Sequence, residues 1–370
     1  MKTKRIIVSI VFCFIFISNT ILSASIYNTT TDSYDFELNS DGRDTVTLTK
    51  YKGNGAINFL PVEMYEMEFD PVQNKNVIVK TYYPTRVKGD CFSNKESVRE
   101  SVKILDNYVE IGNGIFKGFL KIKELNIGSG LTTIPEQAFE EGYALSRVIG
   151  ATNVANIEDR AFYNCMNLST VSFGPKVEKI GNSAFFNCSR LTSFDFGENI
   201  KTIEEDAFFG CVKMEVKKLP SNIQSIEDSA FYGCRHLPEI LNIPDSMESI
   251  GSEAFKGSNI QYVKIMTTDI PTINKDSFDS NVIFVFQEGT KKNGIDVERG
   301  YGTFERYEVL FGDANNDKLV NSTDAAAILD MYKNNTPPTE MLDIMKIDLD
   351  SNKIINATDA AMVLDMYKNN

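Results

Sequence analysis

Ile157–Cys188 reads "IEDRAFYNCMNLSTVSFGPKVEKIGNSAFFNC", and its first nine residues return 23 positions later as "IGNSAFFNC". Working outward, the pattern Ile-x-x-x-Ala-Phe recurs as "IPEQAF", "IEDRAF", "IGNSAF", "IEEDAF", "IEDSAF" and "IGSEAF", flanked by the weaker "IGNGIF" and "INKDSF". Its phenylalanines stand at 116, 139, 162, 185, 208, 231, 255 and 278, one step of 24 and the rest of 23. A second apolar column, Ile122, Leu145, Leu168, Leu191, Met214, Leu237 and Ile260, keeps that step. A period in this range signals a solenoid, because no unit buries its apolar side alone and stacking makes one continuous core.

Within a unit the residues predict a short strand, a turn, and a helical or extended segment carrying Ala-Phe. Leu168, Val171 and Phe173 take the inward strand positions, Gly174-Pro175 breaks the strand, and Ile180 with Ala184-Phe185 forms the opposite wall. These units resemble the 23-residue leucine-rich repeats of bacterial BspA-like surface proteins, whose hallmark is the Ala-Phe-x-x-Cys step. The resemblance covers roughly Ile111 to Phe278, and "SDGRDTVTLTKYKG" (Ser40–Gly53) resembles the lead-in strand of those proteins. It implies an α/β repeat solenoid of short parallel strands over residues 111–300, behind an N-terminal cap over 26–110. The stretch "KTYYPTRVKGDCFSNKESVRE" fits no repeat.

Cys165, Cys188, Cys211 and Cys234 recur every 23 residues, which marks a repeat position. Neighbouring strands lie about 4.8 Å apart, whereas a disulfide wants its Cβ atoms about 3.8 Å apart. The column therefore reads as small buried side chains. With Cys13 and Cys91, the latter of open state, the chain has six cysteines. His236, the single histidine, reads as a surface turn residue.

Between the inward strand positions lies an exposed face: Lys123, Glu124, Asn126, Ser146, Arg147, Ser169, Thr170, Ser172, Thr192, Ser193, Asp195, Glu239, Gln261 and Lys264. It is small and polar, with Tyr262 its one obvious aromatic, and the chain has no Trp. That composition favours a protein ligand over a polysaccharide; an array that serves only as a spacer is the third reading.

The C-terminus says one thing twice. "NSTDAAAILDMYKNN" (Asn321–Asn335) returns 35 residues later as "NATDAAMVLDMYKNN" (Asn356–Asn370). Each copy closes a twelve-residue loop with oxygen side chains at positions one, three, five, nine and twelve. They are Asp313, Asn315, Asp317, Asn321 and Asp324, then Asp348, Asp350, Asn352, Asn356 and Asp359. Position seven, Leu319 or Ile354, offers its backbone carbonyl. Calcium is a hard cation that takes six to eight oxygens, and this spacing wraps a loop around one ion. Position six, where glycine is usual for a positive φ, is Lys318 or Lys353, so weakened binding is expected.

Asp rather than Glu at position twelve, a loop-then-helix unit and the tandem arrangement make Gly312–Asn370 resemble a dockerin, the module that attaches cellulosome components to scaffoldin cohesins. The "DA-x-x-x-L" helices are closer to ruminococcal dockerins than to clostridial ones. The resemblance implies two calcium ions, a small all-α module over 312–370 behind a linker over 301–311, and a cohesin partner. It places cohesin contacts at Ser322, Thr323, Ala326, Asp330 and Lys333, echoed by Ala357, Thr358, Ala361, Asp365 and Lys368. The stripes Ala325, Ile328, Leu329, Tyr332 and Ala360, Val363, Leu364, Tyr367 follow helical spacing and should pack the helices together.

A basic start (Lys2, Lys4, Arg5), an apolar Ile6–Ile17 and small residues at Ser23–Ser25 make residues 1–25 a secretory signal peptide, too short to span a bilayer. A net charge of −13 argues against nucleic acid or an acidic membrane as partner. One histidine, no nucleophile motif and no paired carboxylates outside the loops argue against an enzyme. The sequence thus predicts a non-catalytic, secreted component of a cellulosome-like polysaccharide-degrading complex, held at the cell surface through a scaffoldin. The alternative is an adhesin attached by the same module.

Overall fold

A computed structural model describes residues 34–41, 43, 45–51, 57–59, 64–70, 75–92, 98–266, 271–287, 306–309, 311–316, 318–351 and 354–369. The expected signal peptide, Asp317, Asn352 and Lys353 lie outside them. No helix among the described residues is long and apolar enough to cross a membrane. The chain divides into two compact units, Met1–Gly197 with Asp206–Lys213, and Glu198–Glu205 with Met214–Asn370.

In the first unit the repeats stack as two parallel ladders. Glu124–Ile127, Arg147–Ile149 and Thr170–Val171 pair with Glu124 against Arg147 and Arg147 against Thr170, one repeat per step. Thr133–Ile134, Asn156–Ile157 and Lys179–Ile180 form the second ladder, with Ile134, Ile157 and Ile180 in register. The α/β expectation is corrected here: the Ala-Phe segment is a run of tight turns, and no α-helix occurs among the described solenoid residues. The reason is local. Gln137, Arg160 and Ser183 take φ of 56°, 55° and 53°, a left-handed conformation that ends any helix. The turned backbone pairs with the next coil instead: Phe139 N–H donates to Ala161 O, and Phe162 N–H to Ala184 O, each at 2.8 Å.

Phenylalanine fills the space between the ladders. Phe116, Phe139, Phe162, Phe185 and Phe208 stack with neighbouring centroids 5.6, 5.3, 5.1 and 5.3 Å apart. The cysteine column is buried and unpaired by disulfides, as its spacing predicted. The Sγ atoms of Cys165, Cys188 and Cys211 donate to the carbonyls of Phe139, Phe162 and Phe185 at 3.2, 3.3 and 3.2 Å. Cys91 is likewise buried and free of a disulfide.

The array also reaches back before Ile111. Arg86–Val87 pairs in parallel with Glu110–Ile111, Val98–Ile104 pairs in parallel with Glu124–Ile127, and Phe92 stacks on Phe116 at 5.6 Å. "DCF" at 90–92 is thus a divergent Ala-Phe step, and the described residues of the stretch that fitted no repeat, 80–92 and 98–100, belong to one more coil. Ahead of it, Thr45–Tyr51 pairs antiparallel with Tyr34–Leu38 and parallel with Lys75–Val87, which is paired on its other side with Met64–Asp70.

The second unit continues the pattern. Thr202–Ile203, Ser225–Ile226, Ser249–Ile250 and Thr272–Ile273 form one parallel ladder. Ile240–Ile243, Tyr262–Ile265, Ile283–Gln287 and Arg306–Val309 form the other, so part of the expected linker is a strand. Among the described residues three helices follow: α1 (Ser322–Asn334), α2 (Met341–Ile347) and α3 (Ala357–Asn369). Ala325 and Ile328 of α1 and Ala360 and Val363 of α3 bury as expected, in one cluster with Phe311, Met345, Ile347, Leu349 and Ile355. Tyr332 and Tyr367 do not join them; they are 54% and 52% exposed, since Phe311 and the α2 residues fill the cluster.

Candidate metal loops and repeat surface

Each C-terminal helix starts on its loop. Asn321 caps α1 by accepting from Thr323 N–H at 2.8 Å, and Asn356 accepts from Thr358 N–H at 2.6 Å before α3. Position twelve then ties the loop together. Asp324 Oδ1 accepts from Asn315 N–H at 3.2 Å and Oδ2 from Asn321 N–H at 2.9 Å. In the second copy Asp359 accepts from Leu349 N–H at 2.9 Å and from Asn356 N–H at 3.0 Å. Asp313, Asp324, Asp348 and Asp359 are all buried.

Among the described residues, Asp348, Asp350 and Asp359 bring carboxylate oxygens within 4.8 Å of one another. Burial, with the Asp350 carboxylate adding to it, pushes the Asp359 carboxyl above its ordinary range against the loop amides that stabilise its charge. A convergent, mutually repelling set of oxygens, with Asp348 and Asp359 buried, fits a hard divalent cation. Leu319 and Ile354 turn their side chains outward, and the Ile354 carbonyl accepts from Asn356 Nδ2 at 2.9 Å. Lys318 adopts φ of 68°, the left-handed turn usually given to glycine, and its N–H reaches Asp313 Oδ2 at 3.3 Å.

All ten residues expected to contact a cohesin are exposed, five on each helix. Two cations that loop spacing does not reveal stand beside the loops, Lys346 half-buried and Lys264 buried. Lys346 Nζ lies 3.2 Å from Asp313 Oδ2 and 2.5 Å from Asn316 Oδ1. Lys264 Nζ donates to the Asp348 carbonyl at 2.5 Å, approaches Ser351 Oγ at 3.4 Å and stands 5.0 Å from the Phe311 ring centroid. Burial depresses the Lys264 ammonium to about 8, against the opposing pull of Asp348, Asp359 and Asp350.

Lys264 corrects the surface expectation. Strand alternation rightly turns it away from Val263 and Ile265, but the C-terminal module covers that face and leaves it 0% exposed. The signal was present in part: Val285, in register with Lys264, is apolar, and with Ile240 two residues before Asn242 it joins the module's cluster. Ser351 Oγ also donates to Asn242 Oδ1 at 2.7 Å on the same face.

Elsewhere the strand face stays open. Arg147, Thr170, Ser172, Ser193 and Asp195 are exposed in the first unit, and Gln261 and His236 in the second. The hydroxyls of Ser146, Ser169 and Thr192 are used internally, bonding the carbonyls of Lys123, Ser146 and Ser169 at 2.9, 3.0 and 3.1 Å.

Parallel coils with a repeating phenylalanine spine define a leucine-rich repeat solenoid, here followed by a three-helix module. The chain belongs to the BspA type leucine-rich repeat family, whose repeat region matches residues 85–215 and 202–287, more than half of its length. Helices α1–α3 lie outside that match. Among solved structures, a leucine-rich repeat protein from Bacteroides ovatus ATCC 8483 aligns with TM-score 0.50 and 19% identity, over 76% of this chain and 77% of that one. A leucine-rich cell surface protein from Faecalibacterium prausnitzii A2-165 aligns at TM-score 0.43 and 20% identity, over 74% and 92%. The leucine-rich repeat protein of T. pallidum aligns at 0.41 and 22%, over 60% and 86%. At 19% identity the first of these likenesses is one of fold alone. No curated protein matches the chain.

Proposed function

We propose that the protein is a secreted, non-catalytic attachment and display component. Its C-terminal module acts as a calcium-dependent dockerin that plugs into a scaffoldin cohesin, and its repeats present a protein-binding face. One observation carries the reading. Two loops of calcium spacing close on buried Asp324 and Asp359, and each launches a helix whose five proposed contact residues stand in solvent. Near-identical, equally exposed faces suit a partner that can be met in either of two orientations. Two calcium ions would be held by Asp313, Asn315, Asp317, Asn321 and Asp324 with the Leu319 carbonyl, and by Asp348, Asp350, Asn352, Asn356 and Asp359 with the Ile354 carbonyl. They would supply only charge compensation and loop order.

The test is binding of the full chain to a panel of cohesins with calcium and with chelator, for wild type, Asp324→Ala, Asp359→Ala and the double variant. Calcium-dependent capture lost only in the double variant supports two alternative faces. Capture that ignores chelator, or none from a panel that includes ruminococcal cohesins, removes the dockerin reading.

A further inference from the structure

The two loops are near-copies, but the cations beside them come from different places. Two residues before the second loop stands Lys346, and it reaches across to Asp313, the first residue of the first loop. The same position before the first loop is Phe311. It carries no charge to return to Asp348. That gap is filled from the repeat array, where Lys264 extends over the Phe311 ring and bonds the Asp348 backbone. Its strand neighbour Asn242 accepts from Ser351, so the second loop is fastened to two adjacent array strands.

A buried ammonium is unfavourable unless opposite charge compensates it, and here the compensation comes from the carboxylates that converge in the second loop. A divalent cation would neutralise the same carboxylates and then repel the ammonium beside them. We propose that Lys264 is a built-in placeholder cation for the second loop. It holds that loop on the array in the metal-free chain and is opposed by calcium when the loop fills. Coupling is reciprocal, so whatever calcium costs the Lys264 contact, Lys264 costs calcium affinity. Cation uptake at this one loop therefore loosens the module from Ile240–Ile243 and Tyr262–Ile265. The inference rests on the calcium reading of the loops.

Full-length wild type, K264M, K264Q and S351A are titrated with calcium by calorimetry, and melted with calcium and with chelator. K264M and K264Q are expected to bind one of two ions about tenfold more tightly, the scale of one nearby like charge in a partly screened site. That gain should persist beside Asp324→Ala and vanish beside Asp359→Ala. In chelator K264M should melt below wild type, with calcium closing the gap, while S351A, which keeps the charge, leaves affinity unchanged. Wild type that takes up no calcium defeats the loop reading and this inference with it. Uptake that both Lys264 variants leave unchanged or weaken defeats this inference alone. If K264M does not fold, K264Q decides by the same measure.

Discussion

Phe162 and Phe185 lie face to face with ring centroids 5.1 Å apart and planes 9° from parallel. Phe185 repeats the relationship with Phe208 at 5.3 Å and 2°. Each ring is at once the floor of one coil and the roof of the next. Stability in such an array passes from neighbour to neighbour.

Phe185→Ala should therefore cost about 3–5 kcal/mol, the range for truncating a buried aromatic. Phe185→Leu, which keeps much of the volume, should cost less than half of that. Urea unfolding followed by far-ultraviolet circular dichroism measures both. A Phe185→Ala protein as stable as wild type would mean the stack carries little of the fold.

The same spine shows what was legible beforehand. A period of 23 on Ile, Ala-Phe and Cys fixed the stacking direction, the buried columns and the absence of disulfides in the cysteine ladder. It did not show that the Ala-Phe step is turn rather than helix, because Gln137, Arg160 and Ser183 are not residues that announce a positive φ. Cys91-Phe92 escaped notice since Cys replaces Ala there and the flanking spacing drifts. In the module, loop spacing anticipated the convergence of Asp348, Asp350 and Asp359; helical periodicity placed Ala325, Ile328, Ala360 and Val363 in the core but wrongly put Tyr332 and Tyr367 beside them. Lys264 could be assigned a face but not a neighbour, since sequence alternation does not say what lies opposite.

Glu140 supplies a pH prediction. Its buried carboxylate takes Arg160 Nη2 at 2.5 Å and Lys117 Nζ at 3.1 Å. Burial raises its pKa, but the hydrogen bonds and charges of Arg160 and Lys117 outweigh this and hold it below its ordinary 4.5. A depressed carboxylate contributes stability that is complete above 4.5 and is lost as pH falls through the folded value. The melting temperature of wild type should drop through this acid window more steeply than that of Glu140→Gln. The variant should be about 1–3 kcal/mol less stable at neutral pH, the usual cost of spoiling a buried charged hydrogen bond. Parallel pH–melting curves for the two proteins would dispose of the claim.

The cysteine column should be chemically silent. Burial pushes the Cys165 thiol up to about 12 and the Cys188 thiol well above its ordinary value, and thiolate is the reactive form. Native protein should show no labelling of these residues by a thiol reagent at neutral pH, and full labelling in denaturant. Cys188→Ser should fold with reduced stability, because the serine hydroxyl can still reach the Phe162 carbonyl but leaves a smaller, more polar group in the column. Rapid native labelling at Cys165 or Cys188 would show that the coils open far more readily than their packing implies.

Lys318 sits at φ of 68° in the first loop, with Asn316 at 63° two residues earlier. A side chain in this region costs about 1–2 kcal/mol relative to glycine. That strain is paid whether or not a cation is present, but Lys318 also brings a positive charge to a loop that would hold one. Lys318→Gly should therefore raise stability by up to about 1 kcal/mol in chelator, after the extra unfolded-state freedom of glycine offsets part of the gain. Its larger effect should be on the ion: calcium affinity of the first loop should rise several-fold, read by calorimetry in an Asp359→Ala background where the second loop is disabled. Lys318→Ala separates the two causes, since it removes the charge but keeps the strained Cβ, and should recover only the affinity. An unchanged affinity in both variants would place the lysine outside the field of the ion and leave backbone strain as its one consequence.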